Sequence, residues 1–404
     1  MAAKIPLGTN IADSICLQDF DPDLRQSIHA IIEKEGFIKY AIDKKKFNTG
    51  GGNFMADLIE IDIKGITADG EKELSLFIKK QIPLEKIKVF DCNVVYRKEL
   101  FIYTELIKVM TLLQDKAGVP SDDRFKLAKA YKGSSVNALI FENLTKKGFK
   151  TYGRLDLPPV KYLELAVKEL AKFHGISFVM EHYMPEFYES KIKSINNQFN
   201  YNEDWKELMK KVYLYTANLL GGEIKRKIED FLPIAIDKYP KYDKDQTTVR
   251  CCLTHMDYRP NNVLVRESNG EPVEVMVVDF QLMDYGCPLK DFLFFIYAST
   301  SREFRAKHLD DLKDLYFETL SRFLKYFELD VDDVYPRKEF EKVYKDWMDY
   351  GLIRTLYASV FLFAPDTGLD VSNLSLAELP FNPDRVFEER ARGWLEDFIE
   401  GGYL

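Results

Sequence analysis

The chain has 404 residues, 46% of them hydrophobic and 30% charged, with 21 glycines and 16 prolines. Those proportions belong to globular proteins and exclude a disordered, collagen-like or repeat-built chain. Lysine and arginine number 57 against 65 acidic residues, a net charge of −8 spread along the chain, which argues against a nucleic-acid-binding face and against an acidic tail.

The cysteines Cys16, Cys92, Cys251, Cys252 and Cys287 are scattered, with no Cys-x-x-Cys pair. They read as reduced thiols of a cytoplasmic protein, not as a disulfide frame or a zinc site. Residues 1–23 lack a basic segment followed by an apolar run, so no secretory signal is expected. The most apolar windows, 292–298 and 352–364, fall short of the ~20 residues a membrane span needs and read as buried helices.

Residues 24–35 read as a short amphipathic helix, and 37–42, 54–63 and 74–79 as three strands, with Ile59, Ile61 and Ile63 alternating onto one face. The run Gly50-Gly51-Gly52-Asn53 joins the first two strands, and 67–71, with its Asp69-Gly70 pair, joins the next two. Residues 96–116 carry Leu100, Tyr103, Ile107 and Met110 at helical spacing, and 136–144 is strand-like again. The remainder is mostly helical, over 162–173, over 204–238 as one helix or two joined, and from Asp291 to the end. One hairpin interrupts it: 263–266 and 273–279 flank Ser268-Asn269-Gly270-Glu271. The expected architecture is α+β in two lobes with a cleft between them. A small antiparallel-sheet lobe with one main helix spans 1–141, a connector spans 142–148, and a larger, mostly helical lobe spans 149–404.

The sharpest signal is His255-Met256-Asp257-Tyr258-Arg259-Pro260-Asn261-Asn262, followed by the hairpin and Asp279-Phe280-Gln281. From the chain's own counts, His-x-Asp-x4-Asn arises by chance ~0.02 times. The chemistry it suits is phosphoryl transfer. Asp257 would accept or orient the proton of an attacking hydroxyl, and Asn262 and Asp279 would hold Mg²⁺ against nucleotide phosphates. The hairpin sets the separation by returning Asp279 beside the loop. His255 reads as a tie between loop and core.

Three weaker signals precede it. Lys79 closes a strand, on the face shared with Ser75 and Phe77, where an ammonium would reach phosphates. Glu99, early in the next helix, would pair with it. The glycines Gly50 to Gly52 would let backbone N–H groups approach phosphate, although taken alone they are better explained by an unliganded hairpin turn. Asp19, Asp21 and Asp23 read as acids at a helix start, because Leu24 stands where a calcium loop needs Gly. His174, at the end of an apolar face, reads as a packed core histidine. No Gly-x-Ser-x-Gly, His-Glu-x-x-His or Walker A stretch is present.

These residues resemble the ecdysteroid kinase-like proteins of arthropods, also called CHK kinase-like, of the aminoglycoside phosphotransferase and choline kinase superfamily. The resemblance runs from about Phe47 to the last helix. It takes in Gly51-Gly52-Asn53-Phe54, Leu76-Phe77-Ile78-Lys79, Glu99 with Tyr103, and Leu139-Ile140-Phe141-Glu142-Asn143-Leu144. Gly148-Phe149, Arg154 and Leu170-Ala171-Lys172-Phe173-His174 follow in order, then the loop 255–262, Val278-Asp279-Phe280-Gln281 and Asp291. The resemblance implies a two-lobed, protein kinase-like fold with ATP as co-substrate and Mg²⁺ as cofactor. It puts Lys79, Glu99, Gly51, Gly52 and Asn53 on ATP, adenine on the backbone of Glu142, Asn143 and Leu144, Asp257 as base, and Asn262 and Asp279 on the metal. Met256 stands where the family usually has Gly, and Arg259 where Trp is common; neither change removes a ligand.

The expected activity is transfer of the γ-phosphoryl group to a hydroxyl of a small acceptor, an ecdysteroid or another apolar alcohol, with the steroid coming from the family name alone. No nucleic acid, membrane or obligate protein partner is expected. A nucleotide-binding pseudokinase and a choline- or ethanolamine-type kinase are the alternatives. A protein kinase is disfavoured by Gln281 in place of Gly and by the lack of an Ala-Pro-Glu segment.

Overall fold

A computed structural model describes residues 17–47, 56–82, 85–153, 155–196, 199–363, 374–383 and 385–404. The fold is α+β, with an antiparallel sheet in the first part of the chain and mostly helices in the rest. Contacts divide it into two units: Met1–Thr49, Met55–Pro83 and Ala128–Gly148 form one, and Gly50–Phe54, Leu84–Leu127 and Phe149–Leu404 the other.

The first unit begins with helix α1 (Pro22–Lys34). Asp21 caps it by accepting the Leu24 N–H at 2.9 Å, Pro22 opens it and Asp23 sits in the first turn, so these acids do serve a helix start. Strands β1 (Phe37–Lys46), β2 (Ala56–Thr67), β3 (Gly70–Gln81) and β4 (Ala138–Glu142) pair antiparallel in that order. They extend beyond the apolar runs of the sequence because ladder pairing continues through polar residues such as Lys44 and Lys64. Leu24, Ile28, Ile31 and Ile32 of α1 pack on Ile61, Ile63, Leu76, Ile78 and Ile140, which forms the unit's core. Strand alternation then puts Ser75, Phe77 and Lys79 on the opposite face, as expected. The glycine run and Asn53 lie outside the described residues, as does Arg154.

The second unit starts with α2 (Cys92–Phe101), which Asp91 caps through the Asn93 N–H at 2.8 Å. It continues through a π-helical turn (Ile102–Leu106) into α3 (Ile107–Lys116). Spacing alone grouped this helix with the sheet, whereas its contacts group it with the second unit. Lys98 donates to Met283 O at 2.8 Å, and the Tyr103 ring stands edge-on to Phe280 at 6.0 Å. Periodicity shows that a helix has a buried face but not what that face meets.

Helix α4 (Val160–Tyr183) is buried along most of its length and packs against α8 (Arg302–Lys325). Gly175 permits the approach, since a Cβ there would stand 2.7 Å from Phe323 Cδ1. The region 204–238 resolves into two helices, α5 (Glu203–Leu220) and α6 (Gly222–Lys244), which break at Gly221 and Gly222 with φ of 65° and 56°. The hairpin forms as expected: β7 (Val263–Ser268) pairs with β8 (Glu271–Val277) across Asn269 and Gly270, both at positive φ. A short β5 (Phe149–Lys150) joins its edge, while β6 (Cys252–Thr254) pairs separately with β9 (Asp284–Gly286). Helices α7 (Leu289–Ser299), α9 (Arg337–Asp346), α10 (Met348–Leu362) and α11 (Arg385–Glu400) complete the unit, with α10 packed on α7.

Among the described residues no helix is long and apolar enough to cross a membrane. Cys92, Cys251, Cys252 and Cys287 are free thiols, and burial pushes those of Cys251 and Cys287 up to about 11 and about 12. Cys16 lies outside the described residues.

Candidate active site

The loop 255–262 leaves β6 and enters β7, so both of its ends are held by ladders. Its first turn is pinned by Asp291, an acid in the opening turn of α7 that is 1% exposed. Asp291 Oδ2 accepts the His255 N–H at 2.6 Å and Oδ1 the Met256 N–H at 2.7 Å. His174 Nε2 donates to the same Oδ2 at 3.2 Å, while its Nδ1 lies 2.8 Å from Tyr316 Oη. The core histidine of the sequence thus braces the residue that braces the loop. Met256 sits at φ 64°, in the left-handed region where Gly is at ease, which gives the physical meaning of the glycine usual at this position.

His255 is fully buried. Its Nδ1 accepts the Asp257 N–H at 3.2 Å, so Nε2 carries the proton and donates to Val278 O at 3.0 Å. The Val278 N–H in turn donates to Asn262 O at 2.9 Å. These two bonds hold the chain immediately before Asp279 against both ends of the loop. Asp279 is two residues beyond β8 and itself left-handed, at φ 67° and ψ 59°. Below it, Phe280 packs on the His255 ring at 4.7 Å and on Phe173 at 5.4 Å. The loop is tied to α4 by Tyr258, whose hydroxyl donates to Ala166 O at 2.7 Å.

The Asp257 carboxylate is half-buried and held from several sides. Asn262 Nδ2 donates to Oδ2 at 2.8 Å and to Asp257 O at 2.9 Å. Arg259 Nε lies 3.1 Å from each carboxylate oxygen, and Arg354 Nη2 approaches Oδ1 at 3.9 Å. Because the amide nitrogen of Asn262 faces Asp257, its Oδ1 is not used on the base. That oxygen and the Asp279 carboxylate are a hard-oxygen donor pair and fit Mg²⁺, which takes few protein ligands and keeps several waters. Among the described residues no group of three or more His, Cys, Asp or Glu side chains gathers as a metal cluster.

The structure therefore brings His255, Asp257, Asn262 and Asp279 together in the second unit. Glu99 lies in that unit too, 1% exposed on α2; burial, then the neighbouring Glu99 and Asp279 charges, raises the Tyr103 hydroxyl well above its usual range. Beside Glu99, burial lowers Lys98 to about 8. Burial, then the Asp243 charge, raises Asp284 to about 7.

Lys79 belongs to the first unit and is 7% exposed. So does the connector, where β4 ends at Glu142 and Asn143 caps a 3-10 turn (Leu144–Lys147) by accepting the Thr145 N–H at 3.0 Å. The Glu142 N–H already donates to Lys129 O and the Asn143 N–H to Ser75 O. Asn143 Nδ2 and Thr145 Oγ1 both donate to the buried Glu60.

Two participants carry little or no signal in the sequence. Asp291 was legible only as one matching residue, and Arg354 not at all. Each nevertheless leaves a trace, as a charge set inside an otherwise apolar helical run.

An antiparallel sheet followed by a mostly helical part, with a loop carrying Asp257 and Asn262 and with Asp279 after the hairpin that follows it, is the make-up of a kinase-like phosphotransferase. The family model described as the ecdysteroid kinase-like family matches residues 50–329, well over half the chain, and the chain belongs to that family. Among solved structures, the GDP complex of wild-type aminoglycoside 2'-phosphotransferase-IIIa is 15% identical; the match covers 84% of this chain and 99% of that one, with a TM-score of 0.40. The streptomycin-ATP-APH(2")-IIa ternary complex is 15% identical, over 84% and 96% of the two chains, at 0.33. Glucosamine kinase is 10% identical, over 80% and 94%, at 0.32. The family match carries the assignment, and these distant likenesses add nothing to it. No curated protein matches the chain.

Proposed function

We propose that the protein is an ATP-dependent small-molecule kinase of the CHK kinase-like branch, which transfers the γ-phosphoryl group to a hydroxyl of a small acceptor, an ecdysteroid or another apolar alcohol. It acts in the cytoplasm on a free small molecule, without nucleic acid, membrane or obligate protein partner. The observation that carries the reading is the Asp257 carboxylate. It stands on a doubly pinned loop beside Asn262, whose amide holds the base with its nitrogen, while the Val278 N–H ties the chain just before Asp279 to Asn262 O.

In this reading Asp257 accepts the proton of the attacking hydroxyl, and Asn262 Nδ2 and Arg259 Nε fix where its oxygens point. Asn262 Oδ1 and Asp279 hold Mg²⁺, which when bound neutralises phosphate charge. His255, by keeping Val278 in place, sets the distance between Asp279 and the loop. Lys79, Glu99, Gly51, Gly52 and Asn53 serve ATP. Adenine meets the connector backbone over Glu142, Asn143 and Leu144, where the N–H groups of Glu142 and Asn143 are already engaged within the chain.

One observation favours a second reading, a nucleotide-binding protein without turnover: Arg259 Nε already spans both oxygens of the base, and an acceptor hydroxyl must compete with it. The deciding experiment is ADP release from MgATP with ecdysteroids, other hydroxylated steroids, plant secondary alcohols, choline and aminoglycosides. Stimulation by one apolar class, reduced at least ~100-fold by Asp257→Asn, is the expected result. Nucleotide binding with no stimulation by any acceptor supports the second reading, and stimulation that survives Asp257→Asn refutes the assignment of the base.

A further inference from the structure

Two guanidinium groups converge on the Asp257 carboxylate, and one carboxylate does not satisfy both. Arg259 engages it through Nε. Arg354, from α10, donates through Nη2 to Met256 O at 2.7 Å and stands 3.9 Å from Asp257 Oδ1. The two arginines are 6% and 8% exposed. Among the described residues Arg259 Nη1 and Arg354 Nε have no hydrogen-bond partner, although both atoms are shut off from solvent. The unused N–H groups are donors left over beside the base.

We propose that Arg259 and Arg354 form an oxyanion-binding site beside the base. Its ligand is a carboxylate, sulfate or phosphoryl group, whose several lone pairs match the planar donor array of a guanidinium. Such a group supplies what the buried arginines lack: acceptors for the idle N–H bonds.

The surroundings of Arg354 point to the acceptor as the source of that anion. The α10 positions Tyr350, Arg354, Tyr357 and Phe361 recur at helical spacing. The Arg354 guanidinium lies 4.6 Å from the Phe294 ring centroid and 5.7 Å from that of Tyr357. Tyr357 and Phe361 are only half-buried. Trp205 and Tyr239 already pack on Tyr357, at 6.3 and 5.8 Å, so an acceptor would meet only the half-buried edge of Tyr357 and Phe361, with its anionic group on the arginines and its hydroxyl at Asp257. Naming an acceptor rests on the kinase reading; the oxyanion site itself does not. The γ-phosphoryl group of the nucleotide offers the same oxygens, so the experiment separates the two sources.

The test is anion binding by the full chain, followed by thermal unfolding. Sodium phosphate and sodium sulfate are titrated against sodium chloride at matched ionic strength, for the wild type, Arg354→Gln and Arg259→Gln. The expected result is a midpoint that rises with phosphate or sulfate but not with chloride, with an apparent Kd at least tenfold weaker in each variant. Each variant is compared with itself, so any loss of intrinsic stability cancels. If Arg354→Gln does not fold, Arg259→Gln decides alone. No anion-specific rise in the wild type, or a rise unchanged in the folded variants, overturns the proposal. Repeating the titration with a saturating non-hydrolysable ATP analogue and Mg²⁺ assigns the source. A response that persists supports an acceptor anion, and one that the analogue abolishes overturns the acceptor assignment in favour of the γ-phosphoryl group. None of these readouts needs turnover, so a failure here is distinct from a failure of the kinase reading.

Discussion

Replacing Asp291 by Asn removes one carboxylate oxygen from a place where three N–H groups are waiting. In the better amide orientation the remaining oxygen keeps the bonds from His255 N and His174 Nε2, and the new amide nitrogen faces the Met256 N–H. A buried backbone donor left without an acceptor costs about 1–3 kcal/mol, and the two retained bonds weaken by roughly 1 kcal/mol each once the acceptor is uncharged. Freedom from the desolvation of a buried charge offsets part of that. The net is a loss of about 2–4 kcal/mol, a large share of the ~5–15 kcal/mol that domains have, yet not enough to unfold most of them. Urea unfolding of Asp291→Asn against the wild type measures it. Amide exchange at His255 and Met256 locates it, with an expected acceleration of roughly 30-fold or more if the loss is local. An unfolding free energy within ~0.5 kcal/mol of wild type, together with unchanged protection at those amides, would falsify the argument that Asp291 holds the loop.

Two further outcomes are expected. Met256→Gly and Met256→Ala both forfeit the buried side chain, at about 2–4 kcal/mol, but Gly accepts φ 64° without strain, so the Gly variant is the more stable of the two by about 1 kcal/mol in chemical denaturation; an Ala variant as stable as Gly would show that the left-handed backbone costs nothing here. Asp284 rises from 3.8 to about 7 by burial first and then by the Asp243 charge. Between those values the folded chain binds a proton that the unfolded chain has released, so stability falls as pH rises through about 4 to 7, by at most ~1.4 kcal/mol per pH unit from this group. Asp284→Asn flattens that interval, and an unaltered stability profile from pH 4 to 7 would count against the assigned shift.

Local chemistry was legible in the sequence wherever one short stretch contains all of it. Asn269-Gly270 dictates the hairpin, because both residues tolerate positive φ. The alternation of Ile59, Ile61 and Ile63 gives one face of β2, and so places Lys79 on the opposite face of β3. The loop 255–262 and Asp279 were readable together because the hairpin between them is short and its geometry nearly obligatory. Even there the strand ends two residues before Asp279, and the left-handed turn that aims this residue left no local mark.

What only the tertiary structure decided concerns residues whose partners lie far along the chain. Position in the sequence says that Asp291 opens an apolar helix, but not that its two oxygens meet His255, Met256 and His174. It says that Arg354 is a cation in an apolar run, but not that it meets Asp257. Glu99 and Lys98 are adjacent charges on a helix whose spacing cannot reveal that it packs with the second unit. Periodicity and turn propensity are properties of neighbouring residues, so the chain carries them openly. The pairing of a buried charge with its counter-charge depends on which helix faces come together, and that is settled only when the whole core packs.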